Sequence, residues 1–515
     1  MTILAIDAGT TGVTALLVTD DGRVAARGYE EFAQHFPQPG WVEHEPEQIW
    51  QATLSACRQA LAAVGPARSG SADTSAGVDA PTAVGITNQR ETAVVWDRRT
   101  LAAPRRAIVW QDRRTTSICD RLRDNGDEPR VSELTGLRLD PYFTGTKLTW
   151  LAEHEPETWQ RVRAGDVVVG TVDSYLIARL TAGRVHATDP SNASRTLLFD
   201  LASGEWSDEL CARFQVPRAA LPEVRPSSGG FGRTDPDAFL GLDLPIAGVA
   251  GDQQAALFGQ ACFAPGTSKC TYGTGSFVLV NTGGDIVRSD AGLLTTVAWD
   301  LGAGLVYALE GAIFVTGAAI QWLRDGLGII ATAAETDALA RTVDDTGGVV
   351  FVPALTGLGA PHWDPDARGA VLGLTRGTTR AHLVRAALEA IVFEVRDVVD
   401  VMTRDAGIAV PELSVDGGAS ANDLLCQLQA DQLQVPVRRP QVAETTALGA
   451  AFLAGLATGV WSSTDELADT WRLDRRFDPR PLERAGDGHS GSHARDAAYR
   501  RWQEAVRRSK GWARL

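Results

Sequence analysis

Short apolar runs, each closing on a polar or glycine-rich turn, organise this chain. The first, Thr2–Asp7 (TILAID), ends in a carboxylate. The turn Ala8-Gly9-Thr10-Thr11-Gly12 follows, then a second run, Thr14–Val18. Asp20-Asp21-Gly22 gives a hairpin signal before Val24–Tyr29, so the first turn is expected to join two paired strands. Over 46–64, Ile49, Trp50, Thr53, Leu54, Cys57, Leu61 and Val64 fall on one helical face. Strand-like runs recur at Thr82–Ile86, Thr92–Trp96 and Val167–Gly170, the last leading into a helix over Thr171–Arg179. Asp140–Lys147 reads as a turn feeding a helix from Leu148 to His154. Leu244–Ala250 delivers Gly251 and Asp252 to an alanine-rich helix, Gln254–Gly259. The opening pattern then returns: Thr267–Tyr272, the turn Gly273-Thr274-Gly275, and a return strand Phe277–Asn281. Glu412–Val415 ends in Asp416-Gly417-Gly418, a small-residue helix spans Thr446–Thr458, and Ala497–Lys510 is the closing helix.

A strand, a Gly-Thr turn and a return strand early in each half imply two similar domains facing each other. Such turns point backbone N–H groups and hydroxyls at an anion, and two of them can hold one polyphosphate from both sides. The first is not a Walker A loop, because GxxxxGK[ST] occurs nowhere in the chain. A length of 515 residues, 44% of them hydrophobic, suits two large domains, and 52 glycines suit many tight turns. The net charge of −15 argues against a nucleic-acid surface or an anionic membrane partner. No apolar run approaches the ~20 residues of a membrane span. Six cysteines without a CxxC pair give neither a disulfide framework nor a zinc site and suit a reducing cytosol. The polar stretch Gly65–Pro81 reads as a flexible surface loop. Gly486–Gly491 matches GxGxxG literally but follows no strand and opens no helix, so it is rejected as a dinucleotide signal, and His489 and His493 read as solvated. Asn192-Ala193-Ser194 fits a glycosylation pattern that has no meaning in a cytosolic protein.

Two stretches carry candidate chemistry. Asp252 sits where α/β folds place catalytic groups, at a strand end before a helix, and it equally fits a helix cap. Arg90 and Glu91 follow a strand end; they fit a solvated pair, or a donor and an acceptor for a polyol whose hydroxyls give and take hydrogen bonds. The Gly417-Gly418 pair would let backbone approach a flat ligand.

Longer motifs then run in order: PGWVEHEP (Pro39–Pro46), GITNQRET (Gly85–Thr92), DPYFTGTKLTWL (Asp140–Leu151), SNASRTLLFD (Ser191–Asp200), AGDQQAALFGQ (Ala250–Gln260), YGTGSF (Tyr272–Phe277), ALEGAIFVTGAAIQWLRD (Ala308–Asp325), GLGAPHWDPDARGAVLGLTRG (Gly357–Gly377), VDGGASAND (Val415–Asp423) and TALGAA (Thr446–Ala451). On these the chain resembles the FGGY carbohydrate kinases, most closely the members that phosphorylate glycerol. The resemblance implies an α/β fold of two actin-like, RNase H-like ATPase domains with the active site in the cleft between them. Residues 1–254 would form the polyol-binding domain with the first phosphate turn, and residues 255–515 the nucleotide-binding domain. It implies ATP-dependent phosphorylation of glycerol to sn-glycerol 3-phosphate, with Mg²⁺, by a cytoplasmic homodimer or homotetramer.

By position, Arg90, Glu91, Tyr142, Asp252 and Gln253 would bond the polyol, and Trp110 and Phe277 would wall its carbon chain. Asp252 would be the general base, and Asp7 would act at the Mg²⁺. Thr10, Thr11, Gly12 and Thr274 would hold phosphates, and Gly317, Gln321, Gly418 and Asn422 would line the nucleotide site. The chain departs from the family in its first turn, usually DQGTTSSR and here DAGTTGVT: Ala8 replaces Gln, Gly12 replaces Ser, and Thr14 replaces a basic residue that reaches the nucleotide phosphates. Asp243 stands where some bacterial members carry an Arg that binds the inhibitor fructose 1,6-bisphosphate, so insensitivity to it is expected. The alternatives are a kinase for another small polyol or a triose, and a polyol sensor without turnover.

Overall fold

The computed structural model describes residues 1–63, 78–481 and 491–514. Most of the stretch Gly65–Pro81, the Gly486–Ser490 run with His489, and the side chain of His493 lie outside the described residues. Two mixed sheets carry the fold. The first contains β1 (Thr2–Ala8), β2 (Gly12–Thr19), β3 (Val24–Glu31), β4 (Pro81–Asn88) and β5 (Ile246–Gly251), in the order β5-β4-β1-β2-β3. β1, β2 and β3 form an antiparallel meander, while β4 and β5 run parallel to β1. The second contains β6 (Ser268–Tyr272), β7 (Ser276–Gly283), β8 (Leu294–Asp300), β9 (Leu305–Ile313), β10 (Leu413–Asp416), β11 (Val437–Pro440) and β12 (Leu473–Phe477), in the order β8-β9-β7-β6-β10-β11-β12. Its inner five strands repeat the first sheet: the meander β6-β7-β9, then β10 and β11 parallel to β6. The two Gly-Thr turns are the β1–β2 and β6–β7 connections, as the repeated pattern predicts.

Burial explains the strand sequences. Ile3, Leu4, Ala5 and Ile6 of β1 are fully buried, because both faces of this central strand are covered, and such strands read as continuous apolar runs. The outer strand β3 mixes exposed and half-buried positions and carries charge. On one face of the first sheet lies α1 (Pro46–Leu61), with Ile49, Trp50, Thr53, Leu54 and Cys57 buried. The helix fed by the Asp140 turn is α2 (Thr144–His154), which starts before the predicted Leu148. Tertiary packing draws the turn residues into it: Gly145 N–H donates to the Thr196 carbonyl at 2.7 Å. Ala107–Ile108 forms a two-residue strand, and the closing helix begins at Gly491 instead of Ala497.

The halves are joined by two helices. α3 (Asp252–Gly259) leaves β5, so the expected division at residue 254 falls inside it. Late in the chain, α4 (Thr445–Ala457) packs against α3 and across β1, β4 and β5 of the first sheet. Glycines allow the approach. A Cβ on Gly85 or Gly248 would strike the backbone of α4, and one on Gly449 would strike the Ala255 carbonyl. Helix–sheet contacts this close admit no methyl group.

Gly449→Ala should therefore lower the melting temperature. The gain in helix propensity is about 1 kcal/mol, while overpacking against rigid backbone costs about 1–3 kcal/mol or more. Gly230→Ala, where the new methyl would meet open space, is the control and should melt like the parent in a thermal-shift assay.

Candidate active site

Three parallel strands end on one edge of the first sheet and deliver the site. β1 carries Asp7 at its end, β4 leads into Gln89-Arg90-Glu91, and β5 leads into Asp252. Placing polar groups at the carboxyl ends of parallel strands is how open α/β sheets build clefts. Opposite them, the β6–β7 turn contributes Gly273, Thr274 and Gly275. These groups enclose a cavity of about 160 Å³, lined by Arg90, Glu91, Trp110, Tyr142, Asp252, Gln253 and Phe277 together with Thr10, Thr271 and the turn.

Arg90 and Glu91 are not a solvated pair; both are buried. The Arg90 guanidinium donates to Glu310 at 2.5 and 3.1 Å and to Gln254 at 3.1 Å, and its Nε is ion-paired with Asp252 at 3.1 Å. It lies over the Phe277 ring, 5.6 Å from the centroid. Arg195, fully buried, donates to Glu91 at 2.7 Å and to Glu310 at 2.9 Å. Burial would raise the Glu310 carboxyl, but the two arginines outweigh it and hold the group down to about 2. Burial pushes Glu91 and Asp252 upward, opposed by Arg90 in both cases, by Arg195 at Glu91 and by Lys269 at Asp252. Lys269, buried beside Gln253, donates to its Oε1 at 2.5 Å and to Thr271 at 2.8 Å.

These bonds leave certain atoms free. Asp252 occupies the first helical position, after Gly251, and its Oδ1 accepts from Gln253 N–H at 2.7 Å and faces Arg90. Lysine offers donors alone, so it fixes Gln253 Oε1 toward Lys269 and leaves Nε2 without a partner among the described residues. Glu91 Oε2 and Asp252 Oδ2 likewise accept no hydrogen bond from the described residues. Two acceptors and one donor therefore line a small chamber walled by aromatic rings, with Trp110 edge-on to Tyr142 at 5.6 Å. That set matches adjacent hydroxyls on a short carbon chain.

Asp7 lies beside this chamber. Its Oδ1 is buried without a partner among the described residues, and burial and then the Asp252 charge raise its carboxyl to about 7. An orphaned carboxylate oxygen facing a second carboxylate fits a hard cation. Mg²⁺ commonly takes one or two protein carboxylates and completes its shell with phosphate and water. Among the described residues no cluster of three or more His, Cys, Asp or Glu could cage a metal alone.

A second cavity, of about 680 Å³, lies on the other side of the Gly273–Gly275 turn. Thr274, Gly317, Gln321, Gly418 and Asn422 line it, with Ile320, Leu388, Ile391 and Leu425 as apolar wall. Gly273 and Thr274 border both cavities. The carbonyls of Gly273 and Thr274 accept from Gly317, Thr316 and Ala318 N–H, whereas the N–H groups of Thr274 and Gly275 bond nothing among the described residues. The first turn is alike: the Ala8, Gly9 and Thr11 carbonyls are taken, and the N–H groups of Gly9, Thr10 and Thr11 are free among the described residues. Free N–H groups at a turn form an anion cradle.

Not every expected contact lies at these cavities. Thr10 faces the smaller one and accepts from Trp110 Nε1 at 3.0 Å. Thr11 is exposed and lines neither. Gly12 is buried where an added Cβ would strike the Glu30 carbonyl and the Tyr29 ring, so it is a packing position at the start of β2. Asn422 lines the larger cavity with its amide already engaged, accepting from Leu425 N–H at 2.9 Å and donating to Thr336 at 3.0 Å. Gly418 meets open space, and the neighbour that requires glycine is Gly417, at φ 81° and packed on the Tyr272 backbone. Glu310, Arg195 and Lys269 escape the reading of single motifs. Their signal is a lone charge inside an otherwise apolar or small-residue run.

A duplicated sheet with a polyol-sized chamber and a nucleotide-sized one meeting at a Gly-Thr turn defines the actin-like ATPase fold equipped with an acceptor site. The chain belongs to the FGGY family of carbohydrate kinases: the family's N-terminal domain matches residues 2–259 and its C-terminal domain residues 268–458. A glycerol kinase of Methylobacterium nodulans is 57% identical over 480 residues, covering 93% of each chain. Glycerol kinase 2 of Thermotoga maritima is 51% identical over 99% of each. The crystal structure of Plasmodium falciparum glycerol kinase with ADP superposes with a TM-score of 0.88 at 33% identity, covering 99% of this chain and 98% of that one.

Glu310→Gln should lower the melting temperature by several degrees. It leaves two buried guanidiniums short of a counter-charge, and breaking such a pair costs about 3–5 kcal/mol. Differential scanning fluorimetry checks this, and a melting point within a degree of the parent would contradict it.

Proposed function

We propose that the protein transfers the γ-phosphoryl group of ATP to a terminal hydroxyl of glycerol, giving sn-glycerol 3-phosphate and ADP. The observation that carries this is the pair of chambers sharing the Gly273–Thr274 wall, the smaller lined by Glu91, Asp252 and Gln253 atoms that lack partners. The names of the full-length relatives support the same substrate.

Glu91 and Gln253 would orient the hydroxyls, and Trp110 and Phe277 would pack the carbon chain. Asp252 Oδ2 would accept the proton as the terminal oxygen attacks the γ-phosphorus and the bond to the ADP oxygen breaks. Burial suits this carboxylate to the task by raising its affinity for a proton, and Arg90 and Lys269 oppose that rise. The free N–H groups of the two turns would hold the phosphate oxygens, so that positioning and charge neutralisation do most of the work. Asp7 would hold Mg²⁺ through its unpartnered oxygen. Bound Mg²⁺ would supply neutralisation of the phosphate charge. The first sheet's half is the acceptor side and the second sheet's half the nucleotide side. Six buried, unpaired thiols suit a reducing compartment.

The test is ADP release with ATP and a panel of glycerol, dihydroxyacetone and longer polyols. Glycerol should be preferred, and binding without turnover would identify a sensor. Asp252→Asn should lower kcat by at least ~10²-fold with little change in glycerol affinity, measured by steady-state kinetics and calorimetry. Near-full kcat would remove Asp252 as the base.

Thr14 sits directly across from Asp7 in the β1–β2 register and across from Tyr29 on β3. A long basic side chain there could reach the first turn. A charge-assisted hydrogen bond is worth about 1.5–3 kcal/mol. Thr14→Arg is expected to lower the KM for ATP several-fold and to leave the KM for glycerol nearly unchanged, with each substrate varied in turn. A change confined to glycerol would mean that position 14 faces the acceptor.

A further inference from the structure

Glu91 is one of the non-glycine residues with left-handed backbone, at φ 60°. That conformation costs about 1–3 kcal/mol and persists where its surroundings over-determine it. Here the surroundings are specific. The Glu91 carbonyl accepts from Thr144 Oγ1 at 3.0 Å and from Lys147 Nζ at 3.3 Å. The same Lys147 Nζ donates to the Tyr142 carbonyl at 2.5 Å. Thr92 N–H bonds the Arg90 carbonyl at 2.8 Å and closes the turn around Glu91.

Lys147 is fully buried on the first turn of α2. The charged groups around it are Glu91, Asp112, Asp140 and Arg113. Three are committed elsewhere: Asp112 to Arg114 at 2.8 Å, and Asp140 to Arg113 at 2.7 Å. The Glu91 carboxylate is held by Arg195. Among the described residues the ammonium is therefore buried without an ion pair of its own, and burial lowers its affinity for a proton to about 7. A Leu or Met would fill the same space without that desolvation cost. What the amino group adds is a bond to each of two carbonyls, and both belong to residues lining the small chamber.

We propose that Lys147 is a positioning residue for the acceptor: its amino group ties the Glu91 and Tyr142 backbones together and so sets both side chains for the polyol. This rests on reading the small chamber as the acceptor site. The lysine touches no substrate; it acts by holding a strained loop to the start of a helix. The energy of the strain at Glu91 is met by hydrogen bonds from α2, so the distance between the Glu91 carboxylate and the Tyr142 ring is fixed before the acceptor arrives.

Lys147→Met keeps the length and bulk of the side chain and removes its donors. In steady-state kinetics on the full-length protein, the KM for glycerol should rise by about tenfold or more, as expected when two hydrogen bonds that preorganise a site are lost. The KM for ATP should stay within about twofold, because the nucleotide chamber is lined by other elements. Lys147→Gln, which retains an amide donor, should fall between the parent and the Met variant. Thermal melting identifies folded variants; if the Met variant does not fold, the Gln variant is judged by the same split. A folded variant whose glycerol KM stays within about twofold of the parent overturns the proposal, as does an equal rise in both KM values. The parent is assayed first with the polyol panel. Failure of the parent to use glycerol refutes the acceptor reading, and the split is then measured with the acceptor that the parent does use.

Discussion

A buried carboxylate shared by two arginines ties the active site to both halves of the molecule. Glu310 projects from the second sheet, and the arginines that embrace it come from the first sheet's half, Arg90 after β4 and Arg195 after the Ser191 turn. Taking any of these charges out of water alone would be prohibitive. Together with Glu91 and Asp252 they make a network in which each arginine meets two or more carboxylates. The consequence for chemistry is orientation. Arg90 cannot swing away without abandoning Glu310, and from that place it pairs with Asp252 and Glu91 beside the chamber. The chamber is thus shaped by ionic bonds that cross from one half to the other, and its geometry depends on how the halves sit.

The Gly273–Gly275 turn is the second constraint. It must be thin, because a nucleotide on one side and an acceptor on the other have to meet across it. Two glycines make it so. A Cβ on Gly275 would strike the Ile313 carbonyl, and one on Gly317 would approach the Gly273 carbonyl at 2.6 Å. With the Gly273 and Thr274 carbonyls bonded to the Thr316–Ala318 segment, the turn keeps the Thr274 and Gly275 N–H groups free among the described residues. The same division of carbonyls and N–H groups in the β1–β2 turn follows from the duplicated sheet. One structural solution, used twice, leaves N–H groups without partners among the described residues at both turns.

Much of this was legible in the chain. The strands of the first sheet, and β6, β7 and β10 of the second, have runs that announce them, whereas β9 and β11 were not read from the chain; the repeated strand–turn–strand unit gives the duplication directly. Arg90, Glu91, Trp110, Tyr142, Asp252, Gln253 and Phe277 converge on one cavity although they come from separate stretches, and only the family resemblance grouped them beforehand. What was illegible has physical causes. The start of α2 at Thr144 depends on a backbone contact with Thr196, which no local propensity reports. Gly12 looks like a phosphate-turn glycine, yet its hydrogen replaces a side chain that Tyr29 and Glu30 exclude. The counter-charges Arg195 and Glu310 are invisible singly, since their meaning arises in pairs.

The charges around the two chambers bear on how a polyanionic donor is held. The cations described there are already committed: Arg90 to Glu310, Lys269 to Gln253 and Thr271, and Arg324 on the wall of the larger chamber to Asp325 at 2.6 and 2.8 Å. Thr14 offers no charge, and Asp7 and Asp252 contribute two negative ones near the point of transfer. A nucleotide triphosphate brought to such a place needs its charge met by neutral N–H dipoles and by a cation it carries with it. That cation would also offset the burial and, after it, the Asp252 charge that together lift Asp7 to about 7. A donor that arrives with a cation would meet less opposition than either alone, because each would cancel a charge that would otherwise oppose the other's entry.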